Sequence, residues 1–255
     1  MTVRLAVLTA ALAAAVLLLP GPAARAADEP STANGPIRAV VVTGGHGFQK
    51  EPFLEVFKGH DGLTATHVHL QDHSELFEDT TEWPYDVIVL YNMTQKISET
   101  RRQNFLALLN KGVGLVALHH SLAAWQEWPA FAQIIGGRFF TTPDTVAGTK
   151  YEKSGWKHGL DYTVHVQDPS HPITRGMKDF TIHDETYCRY WVSPKAHVLL
   201  TTDEKTSDKV IGWTCPHPKT RVAYIINGHD AKAYANPNYR TLVTRAIRWA
   251  AGKRH

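Results

Sequence analysis

Cysteine is scarce in this chain: Cys188 and Cys215 are the only two in 255 residues. So low a count excludes a disulfide-dense scaffold, and the absence of a C-x-x-C unit excludes a thiolate zinc knot. The two can form one bridge only if the fold brings their Cα atoms within reach, which sequence does not decide. An excess of one charge is also lacking, since 27 Lys and Arg stand against 24 Asp and Glu, a formal +3. No basic run is long enough for a nucleic-acid footprint. The tail cations Arg245, Arg248, Lys253 and Arg254 read as the solvated end of a last helix, whose dipole favours them. No G-x-G-x-x-G follows a strand and no G-x-x-x-x-G-K-[ST] occurs, so no nucleotide cofactor is expected.

Long apolar runs are lacking after Leu19, and the one before it has the pattern of a secretory leader. Met1 to Arg4 give a short positive start, Leu5 to Leu19 are apolar or small, and Pro20-Gly21-Pro22 breaks the run. Ala24-Arg25-Ala26 fits a small-x-small cleavage site, and the apolar stretch is shorter than a membrane span. The expectation is a Sec-type signal peptide over 1–26, cleaved near Ala26, and a secreted or periplasmic product with no membrane segment. Loss of Arg4 and Arg25 lowers the formal charge from +3 to about +1. Residues 27–37 form a polar, flexible leader, and 38–252 have the length of one α/β domain.

Histidine is abundant, 15 in all, and its placement carries the functional reading. Three apolar runs empty into histidine-bearing loops: Arg38–Val42 into Thr43-Gly44-Gly45-His46, Gly114–Leu118 into His119-His120-Ser121, and Arg221–Ile226 into Asn227-Gly228-His229. A further cluster, His183-Asp184-Glu185 with Tyr187, lies between the last two. Short, continuously apolar, β-branched runs read as strands buried on both faces, as in parallel sheets. In open α/β sheets the ligand site lies beyond the carboxyl ends of such strands.

The pattern of elements agrees with that reading. Helices are expected over about 51–58, from Ser98 through the Phe105, Leu106, Leu108, Leu109 stripe, over about 122–135, broken or restarted at Pro129, and over 238–251. Strands are expected at 38–42, 64–70, 87–90, 114–118, 162–167, 196–201, 210–213 and 221–226. The first half thus reads βαβαβαβα, a parallel sheet with helices on both faces, and the second half has few helices.

Several blocks together resemble the ThuA-like (trehalose utilisation) family. They are Thr43-Gly44-Gly45-His46, Tyr85-Asp86, Gly112 to His119, Asp168-Pro169-Ser170-His171-Pro172-Ile173-Thr174-Arg175-Gly176, His183-Asp184-Glu185-x-Tyr187, Gly228-His229 and Trp249-Ala250-x-Gly252. They run in family order across nearly the whole chain after the leader. The resemblance implies a flavodoxin-like, class I glutamine amidotransferase-like fold, a link to sugars and keto-sugars, and in some members a metal ion. It does not bring the amidotransferase nucleophile, because the turn Leu118-His119-His120-Ser121 holds no cysteine.

The site expected on these grounds has His119, His183, Asp184 and Glu185 as catalytic groups. Gly45, His46, His120, Tyr187 and Trp125 would contact a small-molecule carbohydrate. His119, Glu185 and His229 would hold a divalent ion, zinc or another first-row metal. Metal or no metal, such groups permit proton abstraction beside a carbonyl, leading to isomerisation, elimination or hydrolysis. The alternatives are a carbohydrate-binding module without catalysis, and an interaction domain whose histidines are satisfied by backbone. Two patterns compete for attention. His67-Val68-His69-Leu70-Gln71-Asp72-His73 approximates a metallohydrolase run but has one residue too many and falls on a strand. Trp125, Trp128, Trp156, Tyr151 and Tyr162 offer either a sugar-stacking surface or ordinary core.

Overall fold

The computed structural model describes residues 35–71 and 73–252. The expected signal peptide, most of the leader, Asp72 and the tail cations Lys253 and Arg254 lie outside the described residues. The chain opens with β1 (Ile37–Gly44), α1 (Lys50–Leu54), β2 (Leu63–His69) and β3 (Val87–Asn92). It continues through α2 (Glu99–Asn110), β4 (Gly114–Leu118), α3 (Pro129–Ile135), β5 (Gly137–Arg138), β6 (Asp144–Val146) and β7 (Thr149–Tyr151). Then come β8 (Gly155–Val166), β9 (Phe180–Cys188), β10 (Trp191–Val192), β11 (His197–Thr201), β12 (Val210–Pro216) and β13 (Arg221–Ile225). Two helices, α4 (Ala231–Ala235) and α5 (Pro237–Ala250), close the chain.

Nine strands form one sheet in the order β2-β1-β3-β4-β13-β12-β11-β8-β9. The first five run parallel, and every pairing from β13 outward is antiparallel. The expected mostly parallel sheet is therefore a mixed one. The reason is local: β1 to β2, β2 to β3 and β3 to β4 are crossover connections between parallel strands, whereas β8–β9, β11–β12 and β12–β13 are joined without a helix. Every residue of β3 and β4 is buried, which explains their unbroken apolar sequence. Helix α5 packs on β4 and β13, and α3 on β12 and β13. Ser98 caps α2 by accepting from the Arg101 amide, as its sequence position suggests.

Two helix expectations need correction, and two open points are decided. No α-helix separates β2 from β3, only a 3-10 turn over Glu75–Phe77. Of the 122–135 helix only the part restarted at Pro129 forms, as α3; before it stands a 3-10 turn, His119–Ala123, because Pro129 starts a helix and does not sit inside one. The triplet His183-Asp184-Glu185 lies in the middle of β9, paired to β8, where no strand was expected. Cys188 and Cys215 are free thiols.

Candidate functional site

The chain leaves β4 through a non-glycine left-handed residue, His119 at φ +48°, a conformation that packing must hold in place. The Tyr224 hydroxyl donates to the His119 carbonyl at 2.7 Å, and His119 is almost wholly buried. Its Nδ1 lies 2.7 Å from the Ile226 carbonyl. A carbonyl only accepts, so Nδ1 carries the proton and Nε2 keeps its lone pair. That Nε2 is 3.1 Å from His229 Nδ1, 3.7 Å from Glu185 Oε1 and 3.0 Å from the Tyr187 hydroxyl. One nitrogen or oxygen from each of His119, Glu185 and His229 can be chosen so that all lie within 4.8 Å of one another.

Asp184 builds the site without entering it. Its Oδ1 accepts from the Glu185 and His229 amides, each at 2.9 Å, and Oδ2 from the Gly228 amide at 2.7 Å and Asn227 Nδ2 at 3.4 Å. The carboxyl therefore clamps the Asn227–His229 turn to β9. Burial pushes it up to about 6, while those same hydrogen bonds pull the other way. Asp230 then caps α4 through the Lys232 and Ala233 amides, fixing the backbone just past His229.

Above these groups opens a cavity of about 530 Å³. Glu185, Tyr187, His229, His120 and His46 line it, together with Gly47, Met93, Ala123, Phe139, Trp156 and His158. Burial, above all, pushes Glu185 up to about 8. Its Oε2 makes no hydrogen bond of acceptable geometry, although His229 Nδ1 stands 3.3 Å away and His158 Nδ1 touches it. Burial also lowers the imidazoles: His119 well below the usual range, His120 to about 3, and His229 in the same direction. These histidines are neutral near pH 7 and so competent as ligands.

Of the expected site residues, His119, Glu185, His229, Tyr187, His120 and His46 come together. His183 does not; it pairs with Asp161 at 2.9 Å and approaches Lys232 Nζ at 3.3 Å. Trp125 belongs to the core, with Nε1 donating to Ser74 Oγ at 2.8 Å and its ring edge-on to Phe131. Gly45 serves packing: a Cβ there would meet the Met93–Thr94 peptide at 2.5 Å. His67 and His69 both bond Thr43 Oγ1, at 2.8 and 3.0 Å, and Trp128 and Tyr162 are buried. His158 was not foreseen. It sits in a register shift of β8 beside Gly159 (φ +69°), and a glycine interrupting a strand is the one sequence signal that marks such a bulge.

His119, Glu185 and His229 could hold a metal ion: they offer two neutral imidazoles and a carboxyl group, with a backbone carbonyl orienting one imidazole from behind. An underbonded, buried Glu185 oxygen facing imidazole nitrogens fits a cation better than it fits an empty apolar pocket.

Fold and donors define an α/β domain with a mixed sheet and a candidate site at the carboxyl ends of its parallel strands. The chain belongs to the ThuA family: the family model described as trehalose utilisation matches residues 38–250. A ThuA-like protein from Parabacteroides merdae superposes with a TM-score of 0.71 at 20% identity, over 86% of this chain and 91% of that one. A ThuA-like protein from Bacteroides uniformis gives a TM-score of 0.61 at 19% identity, over 88% and 95%. A cytoplasmic protein from Salmonella typhimurium gives 0.55 at 10% identity, over 83% and 99%. No curated protein matches by sequence.

Proposed function

We propose that this chain is an exported enzyme acting on a sugar or keto-sugar by isomerisation, elimination or hydrolysis. The observation that carries the reading is the convergence of His119 Nε2, Glu185 and His229 at the base of an open cavity. His119, Glu185 and His229 would hold a first-row divalent ion, which supplies Lewis acidity to a carbonyl or lowers the pKa of water. Asp184 holds the His229 turn, the Ile226 carbonyl sets the His119 tautomer, and Tyr187 donates its hydroxyl proton to the His119 lone pair until a ligand replaces it. Met93, Ala123 and Phe139 give the cavity an apolar side next to these polar groups. The order β2-β1-β3-β4 supports the flavodoxin-like, amidotransferase-related reading of the parallel half.

The test is elemental analysis of purified protein after incubation with divalent ions, together with product detection from trehalose and its oxidised derivatives. We expect near-stoichiometric metal in the wild type. Glu185→Gln and His119→Ala should lose it, with turnover falling by about a hundredfold or more. Full metal and full turnover in both variants would overturn the assignment. The second reading, a carbohydrate-binding module without catalysis, draws on Trp156, whose indole is 53% exposed at the cavity. It predicts saturable sugar binding with no product.

A further inference from the structure

The block Asp168 to Gly176 takes no part in the histidine site, and its place in the fold shows what it presents. It folds as a tight turn after β8. The Thr174 hydroxyl donates to the Asp168 carbonyl, and Asp168 Oδ1 accepts from the amides of Ser170 and His171, at 2.9 and 3.1 Å. The turn carries Arg175 to the edge of a second cavity, of about 350 Å³, lined by Pro172, Arg175, Arg245 and Arg248. Arg248 Nη2 donates to the Asp61 carbonyl, just before β2 begins. This cavity therefore lies toward the amino ends of the strands, away from the carboxyl ends that bear His119 and His229.

No carboxylate lines the cavity, and among the described residues none of these three arginines has an ion-pair partner within 4.0 Å. Two of them are nonetheless held in place. Arg245 Nη1 donates to the Arg175 carbonyl at 2.7 Å, and Arg248 to Asp61. Anchoring by backbone carbonyls positions a guanidinium while leaving its charge uncancelled and most of its five donors free. The nearby carboxylate, Asp168, is engaged by His197 Nε2 at 2.8 Å as well as by its own turn. His171, shortly before Arg175 in the same turn, is held down to about 4 chiefly by burial and then by His197; Asp168 opposes the shift, and Arg221 and Arg175 add smaller contributions to it. The dipole of α5 accounts for a cation in its last turn, but not for Arg175 arriving from a separate loop to face it.

We propose that Arg175, Arg245 and Arg248 form a binding site for a phosphate-type oxyanion, distinct from the histidine site. Planar guanidinium forks match tetrahedral oxyanions and carry the charge that such a ligand needs. A cavity of this size, floored by Pro172, takes the ion itself or the phosphate of a small monoester.

The experiment is isothermal titration of the full chain with inorganic phosphate and, separately, with glucose 6-phosphate, at ionic strength matched with chloride. Wild type and Glu185→Gln should bind with the same affinity, since the site is independent of the proposed catalytic one. The double variant Arg245→Gln/Arg248→Gln should bind at least about tenfold more weakly, the loss expected for a charge-assisted hydrogen bond. Arg175→Gln, whose side chain is exposed and leaves the fold untouched, should weaken binding in the same direction. Tighter binding of glucose 6-phosphate than of phosphate would assign the site to a monoester, and the reverse to the free ion. No saturable binding in the wild type, or equal affinity in the arginine variants, would overturn the proposal.

Discussion

At the residue scale, the site rests on side chains that do not touch the cavity. Asp184 is the clearest case, a buried carboxyl that satisfies three backbone amides at the seam between β9 and the Asn227–His229 turn. In Asp184→Asn an amide nitrogen replaces one acceptor, leaving at least one of those N–H groups buried without a partner. We expect a loss of about 1–3 kcal/mol in urea unfolding. Metal affinity should also weaken by about tenfold or more, because His229 is no longer held. A variant as stable and as metal-competent as wild type would remove Asp184 from this role. His171 makes one contribution to the pH dependence that a single variant can isolate. Its folded pKa of about 4 lies below the unfolded value near 6.5. Between those values the unfolded chain binds more protons, so this contribution to stability is complete above about 6.5 and is lost as pH falls toward 4. His171→Asn keeps an acceptor for the Ile173 amide, which now bonds the His171 Nδ1. Urea midpoints measured from pH 7 to 4.5 should fall less steeply in the variant; parallel slopes would contradict the assignment.

At the element scale, the turn after β13 depends on Gly228. Its φ of +109° is one that residues with a Cβ avoid, and an added Cβ would lie 2.2 Å from the Tyr239 hydroxyl. Tyr239 lies in the first turn of α5 and is fully buried, so it has nowhere to go. Gly228→Ala should cost about 2 kcal/mol or more, measured by thermal or urea unfolding. An unchanged midpoint would mean that the turn and α5 are looser than their packing indicates. The β8–β9 hairpin is the other decisive element. It brings Glu185, Tyr187 and His158 to one end, and its register shift between Lys157 and Leu160 places His158 against Glu185. Sequence reading offered Glu185 as a catalytic group or ligand; it could not see β9, because the run Phe180–Cys188 mixes buried polar and apolar residues and lacks a clean period of two.

At the scale of the whole molecule, the candidate site joins two halves of one sheet. His119 and His229 come from the parallel half, and Glu185 from the antiparallel edge at the far end of the strand order. A metal held by all three binds only the folded state and should stabilise it globally. At a free zinc concentration of about 100 times Kd the gain is about 2.7 kcal/mol, which for a domain of this size raises Tm by roughly 5–10 °C. Differential scanning of wild type and Glu185→Gln with and without zinc checks this. An equal rise in both would place the metal elsewhere.

The sequence by itself determined the parallel half of the fold. Residues buried on both faces must be apolar throughout, and the loop that leaves such a strand is where polar chemistry can collect, so β1, β3, β4 and β13 were legible along with His46, His119, His120 and His229. Glu185 and Tyr187 were legible only through the ThuA blocks. What tertiary structure alone decided was direction and partnership. It made Asp184 a clamp for a backbone turn, paired His183 with Asp161, and buried Trp125 against Phe131. It also seated His158 on Glu185 and set Arg175 opposite Arg245 and Arg248. The physical reason is common to all of these: local pattern records whether a side chain meets water or core, while its partner is chosen by segments distant in sequence, 110 residues for His119 and His229, whose approach depends on the pairing of the whole sheet.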